Sequence, residues 1–376
     1  MKKNFVRVIV ILVLAVVPVW MFISKDKDFS DKENRYLADM PKISVSSIGN
    51  GSFMDDFETY LTDQFPLRDK CISIKTAILR LTGQRKINGV YIGSDGYLIA
   101  EESDYDEKKL KETIDSVNYF AGNKDDLKIN FMLVPNSISV YEDKLPYNVV
   151  SNQKETMNYI EENLSENISY IDIYDTLKNA EGQQMYYKTD HHWTTFAAYE
   201  AFKQFASVTG LNTDDVTYNF YTVTGEFQGT QASNSGVYNV HDRIDICVPE
   251  GSEGTYVVNY PEKTLKKASL FDIEKLNEKD KYLVFMGGNY SEADINTVNG
   301  TGRNLLVVKD SFANCMIPMF TPYYDKIVVV DPRYFYDNIY EVMEINHIDE
   351  VLFLYNVNSF VTDNSLKDIL MNTPEE

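Results

Sequence analysis

Histidine, tryptophan and cysteine are scarce in this chain, with four, two and three copies among 376 residues. The odd, sparse set Cys71, Cys247 and Cys315 excludes a disulfide scaffold. No CxxC pair or Cys/His cluster is present from which a structural zinc site could be built. Basic residues are also short: 36 Lys and Arg stand against 57 Asp and Glu, a formal charge of −21. Nucleic acid is thereby excluded as a partner, because binding it depends on Lys and Arg neutralising phosphates. No long acidic tail exists, so the charge is spread over a globular surface. A strongly anionic polysaccharide would be repelled unless a local basic patch received it. Internal repeats and low-complexity blocks are absent too. What the chain has is apolar bulk: 44% hydrophobic residues, with 27 Tyr and 20 Phe. That suffices for one large core or two modest ones.

One long apolar run is present, from Phe5 to Ile23, interrupted by Arg7 and Pro18. Lys2 and Lys3 precede it; Lys25, Asp26, Lys27 and Asp28 follow. Residues 8–24 read as a short membrane-spanning signal anchor. A cleaved signal peptide is the rival, but the exit Met21-Phe22-Ile23-Ser24-Lys25 lacks a small-residue cleavage site. The positive-inside rule then puts residues 1–7 in the cytoplasm and everything from about residue 25 outside. The expectation is a single-pass membrane protein with an exported C-terminal domain.

Residues 25–86 read as a juxtamembrane linker and a helical segment. Phe53, Phe57, Leu61 and Phe65 recur every four residues, and Pro66 should break that helix before a second amphipathic stretch, Ile72 to Leu81. Residues 87–376 read as an α/β domain. An Asp95-Gly96 pair between two β-rich runs predicts a hairpin over 90–99. Helices are expected at about 106–121, 153–164 and 195–208, the last with Thr194 as N-cap and Gly210 beyond its end. Continuous apolar runs at 129–134, 305–308, 327–330 and 351–354, with a shorter one at 170–173, read as buried strands. Residues 211–300 are irregular and read as a partly β insertion. The alternation is that of an open, mostly parallel sheet with flanking helices.

In such sheets function gathers past the carboxyl ends of the strands. Those positions hold Asp310-Ser311, Asp331 with Arg333, Asn356 with Asn358, and Asn136. A nucleophile, a cation and amides on one rim suit acyl transfer. Ser311 precedes an expected helix whose N–H groups and dipole could face an oxyanion; alone, it would read as an N-cap. A second cluster changes the balance: Tyr186-Tyr187-Lys188-Thr189-Asp190-His191-His192-Trp193-Thr194. Serine needs a base, usually His, and that His needs a carboxylate to fix its tautomer. Asp190 and His192 can supply both. Metal binding by Asp190, His191 and His192 is the rival, disfavoured because adjacent side chains diverge; a purely structural cluster is a third reading.

The run Asp190-His191-His192-Trp193 is the name motif of the DHHW protein family. The wider stretch from Lys188 resembles the Asp-x-His-Trp segment of the alginate O-acetyltransferase group, a permuted SGNH (GDSL-type) hydrolase fold. Ser30 to Arg35, Val134-Pro135 and Lys144-Leu145-Pro146 extend the resemblance. It implies a catalytic set of Ser311, His192 and Asp190, in which the Asp/His block precedes the serine block. Asn356 or Asn358 would supply the oxyanion amide, although the usual Gly-x-Asn-Asp block is missing. Lys309 stands where a Gly usually precedes Asp-Ser. Arg333 resembles a basic residue of the group; its alternative is a surface pair with Asp331. His191, Trp193, Tyr186 and Lys188 are candidates for the pocket edge. The activity implied is an O-acetyltransferase on a cell-surface or secreted polysaccharide, without cofactor or metal, supplied by a membrane-bound O-acyltransferase. A carbohydrate acetylesterase and a non-catalytic glycan-binding or assembly protein are the alternatives.

Overall fold

A computed structural model of the chain describes residue 7 and residues 15–21, 23–124 and 126–372. Its centre is an eight-stranded sheet. In chain order the strands are β1 (Lys128–Val134), β2 (Ile168–Tyr170), β3 (Tyr256–Tyr260), β4 (Leu265–Lys267), β5 (Glu292–Thr297), β6 (Asn304–Lys309), β7 (Lys326–Val330) and β8 (Glu350–Asn356). Across the sheet they run β4-β3-β5-β7-β6-β8-β1-β2. The five strands from β7 to β2 are mutually parallel. The other three join antiparallel at the β7 edge.

The parallel strands are continuous apolar runs because both of their faces are buried. In β6, Leu305 and Val307 enter one core while Leu306 and Val308 enter the other; Met132 and Val134 of β1 oppose Phe131 and Leu133 in the same way. That is the period-two alternation of a pleated strand placed between two apolar layers. One layer includes α5 (Thr195–Thr209), through Ala197, Ala201, Phe202 and Phe205. The other includes α3 (Glu107–Gly122), α4 (Gln153–Asn163), α6 (Ile339–Ile345) and α7 (Ser365–Met371). Asp106 caps α3 by accepting from the N–H groups of Lys108 and Lys109. Thr194 caps α5, and Gly210 follows it at φ 70°, the left-handed region that favours glycine.

The segment read as an insertion at 211–300 is continuous with the sheet. It supplies β3, β4 and β5, and a hairpin of Tyr218–Phe227 with Asp242–Pro249. The run 170–173 also differs: the ladder stops at Tyr170, while Ile171 and Ile173 are buried beyond it.

The residues read as linker and helix carry the helices α1 (Ser52–Asp63) and α2 (Arg68–Leu81), with the break ahead of Arg68 where Pro66 sits. Buried Asp63 takes Arg35 at 2.8 Å and stays below the usual carboxylate range: the Arg35 hydrogen bond outweighs burial. The expected hairpin is present as Val90–Ile92 with Leu98–Ala100.

The expected membrane anchor is corrected. Among the described residues no helix is long and apolar enough to cross a membrane, so a single-pass membrane protein is not supported. Residues 15–21 and 23 are helical. Residues 1–6, 8–14 and 22, part of the stretch read as cytoplasmic end and anchor, lie outside the described residues.

Candidate active site

Because β1, β6, β7 and β8 are parallel, their carboxyl ends deliver Asn136, Ser311, Arg333, Asn356 and Asn358 to one edge. These residues line a pocket of about 290 Å³ together with His191. The loop carrying His191 folds back on itself: Tyr186 bridges Trp193, and the Tyr187 N–H donates to the His192 carbonyl at 3.2 Å. Asp242 holds the near side of the loop, accepting from the Thr189 N–H at 2.7 Å, the Thr189 hydroxyl at 2.6 Å and the Lys188 N–H at 2.9 Å. The Trp193 indole N–H donates to the Phe312 carbonyl at 2.8 Å and draws the serine loop against it.

His192 Nε2 lies 2.9 Å from Ser311 Oγ, and its Nδ1 lies 2.6 Å from Asp190 Oδ1. The same carboxylate oxygen accepts the His192 N–H at 3.0 Å, which locks the two residues into one geometry. The other oxygen, Oδ2, accepts the Thr230 N–H at 2.9 Å and the Thr230 hydroxyl at 3.1 Å. Burial opposes ionisation of Asp190, but His191, His192 and the Thr230 N–H outweigh it and hold its carboxyl far below the usual range. Burial, aided by His191, pushes His192 down to about 4 against the pull of Asp190. At neutral pH the pair is therefore carboxylate plus neutral imidazole, with the Nδ1–H donated to Asp190 and the Nε2 lone pair toward Ser311. Such an imidazole can accept a hydroxyl proton.

The remaining candidates divide. Asn356 has both amide protons engaged, by the Asp310 carboxylate and the Ser359 hydroxyl. Asn358 donates to the Glu101 carbonyl at 3.4 Å. Asn136 gives one amide proton to Asn356 at 3.2 Å, and the other has no partner among the described residues. The Ser311 N–H begins a single 3-10 turn, Ser311–Cys315, and has no hydrogen-bond partner among the described residues. The expected helix after Ser311 is thus one tight turn, followed by the short Ile317–Phe320, and a long helix dipole is not available. Arg333 is both paired and at the pocket. It forks onto Asp331 at 2.8 and 2.6 Å and still lines the pocket.

Three pocket-edge candidates are displaced. Trp193 and Tyr186 are fully buried, the latter donating its hydroxyl to the Pro135 carbonyl. Apolar rings on a loop that folds onto the core go inward. Lys188 reaches the Asp95 carbonyl at 2.9 Å, over the Tyr97 ring. His191 is at the pocket, its Nδ1 2.7 Å from the Thr230 hydroxyl. Ligand atoms of Asp190, His191 and His192 lie within 4.8 Å of one another, a spacing that could hold a cation. They already serve Thr230, Ser311 and each other, so ligation would dismantle these contacts.

Four contacts went unread in the sequence: Thr230, Gly229 and Asp242 around the acid loop, and Tyr282, whose ring lies parallel to His192. Nothing local marks them.

A family model described as DHHW protein matches residues 109–330. The chain belongs to the DHHW family. Among solved structures, a DHHW family protein from Eubacterium siraeum is similar at 25% identity and a TM-score of 0.66, over 77% of this chain and 98% of that one. PatB1 of Bacillus cereus, solved with a sulfonyl adduct, shares this DHHW protein's fold at 19% identity and a TM-score of 0.62, over 73% and 96% of the two chains. The O-acetyltransferase domain of Pseudomonas putida AlgJ overlays loosely, at 12% identity and a TM-score of 0.49, over 76% and 100%. No curated protein matches this DHHW chain in sequence.

Proposed function

We propose that this DHHW protein is an O-acetyltransferase that places acetyl groups on hydroxyls of a polysaccharide through a serine acyl-enzyme. The observation that carries the reading is the continuous line Asp190–His192–Ser311, at 2.6 and 2.9 Å. The chain order, with the acid and histidine ahead of the serine, matches the permuted SGNH arrangement.

In the first half-reaction Ser311 Oγ attacks the acetyl carbonyl while its proton passes to His192 Nε2. Asp190 stabilises the imidazolium and stays ionised. The tetrahedral oxyanion is held by the Ser311 N–H and the uncommitted amide proton of Asn136, with Arg333 alongside; Asn356 instead fixes Asp310 beneath the loop. The leaving group takes the proton from His192. In the second half-reaction a sugar hydroxyl gives its proton to Nε2 and attacks the acetyl-serine. The proton then returns to Ser311 Oγ as the ester departs. The acetyl supplier implied by the family resemblance is a membrane-bound O-acyltransferase.

The test exposes the purified chain briefly to an activated acetyl ester and records intact mass, beside Ser311→Ala and His192→Ala. One acetyl adduct mapped to Ser311 and absent from both variants supports the acyl-enzyme. A sulfonylating reagent offers a second trap, since PatB1 was captured with a sulfonyl adduct. Added oligosaccharide then separates transfer to sugar from release of free acetate. Absence of any adduct or ester turnover in the wild type defeats the reading.

A further inference from the structure

Tyr282 lies face to face with His192: the ring centroids are 3.7 Å apart and the planes within 8°. Its hydroxyl donates to the Ser311 carbonyl at 3.3 Å. One buried side chain therefore touches both the imidazole and the backbone of the serine. It is itself held firmly. Tyr282 sits in the 3-10 turn Lys281–Val284, where Asp280 accepts its N–H at 3.2 Å, and Phe285 and Tyr187 meet its ring edge-on at 5.0 and 6.3 Å. Phe312, tilted at 5.0 Å, and His191 at 3.8 Å close further sides of the imidazole.

A hydrogen bond at Nδ1 fixes one end of an imidazole but leaves a soft torsion, because χ2 of histidine is broad. A ring stacked along the whole face removes the out-of-plane swing that would carry Nε2 away from Ser311. The same face is electron-rich, so it favours the cation that forms when His192 accepts a proton. The charged and titratable groups acting on His192 are Asp190, His191 and Arg333. Tyr282 adds no charge of its own, since burial lifts its phenol well above the ordinary value.

We propose that Tyr282 is a positioning residue of this site, whose ring holds His192 with Nε2 directed at Ser311 and keeps water from the imidazole face. The proposal rests on the reading of His192 as base and Ser311 as nucleophile, but its first test does not. The full chain, labelled with ¹⁵N-histidine, is titrated by NMR as wild type, Tyr282→Phe and Tyr282→Ala; turnover of an activated acetyl ester is measured on the same samples. Tyr282→Phe keeps the stacked ring, and the His192 titration and kcat stay within about threefold of wild type. Tyr282→Ala opens the face. Because burial is the largest cause of the low His192 value, the titration then moves up from about 4 toward the ordinary value near 6.5. Meanwhile kcat falls about 10- to 100-fold at unchanged KM, as for a misplaced catalytic group. If the alanine variant does not fold, Tyr282→Leu keeps the imidazole covered but removes the flat aromatic face, so kcat falls while the titration stays near that of wild type. A folded Ala or Leu variant with wild-type titration and kcat overturns the proposal. So does a Phe variant as impaired as Ala, since the hydroxyl would then carry the effect. A wild type without turnover defeats the acyl-transfer reading alone, and the NMR titration still decides Tyr282.

Discussion

Gly229 packs directly on Asp190: a methyl group there would sit 2.2 Å from the Asp190 Oδ2 and 2.3 Å from its Cβ. The backbone of Gly229 is extended, at φ −87° and ψ −162°, so glycine is needed for space and not for conformation. The close approach lets the next residue, Thr230, give both its N–H and its hydroxyl to Oδ2. Gly229→Ala should push the Asp190 carboxylate off this pair of donors. The expected cost is about 1–3 kcal/mol in urea denaturation, the range for overpacking a tight interior. Ester turnover should drop about 100-fold, because the carboxylate that aligns His192 moves. An alanine variant with wild-type stability and turnover would refute the role assigned to this contact.

Ser311, His192 and Asp190 form one chain of hydrogen bonds, so their removal should not be additive. Ser311→Ala and His192→Ala are each expected to lower kcat by about 10³-fold or more, and the double variant should be no worse than either single one. Multiplying defects in the double variant would mean that the two residues act in separate steps.

The pH response follows from the depressed His192. Its value of about 4, set by burial and His191 against Asp190, lies below the ordinary 6.5 or so. The base is then neutral over a wider range, and the acid limb of kcat/KM for the acetyl ester should fall near pH 4. The same displacement has a stability consequence of definite sign. Between about pH 6.5 and 4 the unfolded chain binds the His192 proton and the folded chain does not. The His192 contribution therefore stabilises the fold fully above pH 6.5 and fades as pH falls toward 4. His192→Gln should flatten this part of the stability profile. An acid limb near 6.5 would mean that the imidazole is far wetter than its packing against Tyr282 and Phe312 implies.

The contrast between what the sequence disclosed and what it hid is one of contact range. The strands at 305–308, 327–330 and 351–354 were legible because a strand buried on both faces must be apolar at every position. Asp190 and His192 were legible because their hydrogen bond joins residues two apart. Gly229, Thr230 and Asp242 reach the acid loop from about 40 to 54 residues away, and Tyr282 reaches His192 from a segment with no regular pattern. Glu292–Thr297, buried only at Ala293 and Ile295, gave no apolar run to betray that 211–300 widens the sheet. Trp193 packs inward because the bridge to Tyr186 turns its ring into the core.

Lys309 stands where the family resemblance leads one to expect glycine, and the structure gives it a partner. Its ammonium is fully buried 3.2 Å from Asp331, which also receives the Arg333 fork. Burial pulls the Lys309 ammonium downward and opposes the Asp331 charge, but two cations hold Asp331 below its usual range. Asp331 is thus the carboxylate that pairs directly with both cations, while Asp310 acts on both from farther away. Asp331→Ala should cost about 3–5 kcal/mol in chemical denaturation, the penalty of leaving a buried charge unpaired. It should also free Arg333 from its place beside Ser311 and raise KM for the acetyl ester. Lys309→Met removes only one cation and leaves Asp331 paired with Arg333, so its cost should be smaller and its KM near wild type. Equal losses for the two variants would argue that the lysine alone shapes the serine loop. A loss below about 1 kcal/mol for Asp331→Ala would show that the pocket rehydrates and that Arg333 does not need this anchor.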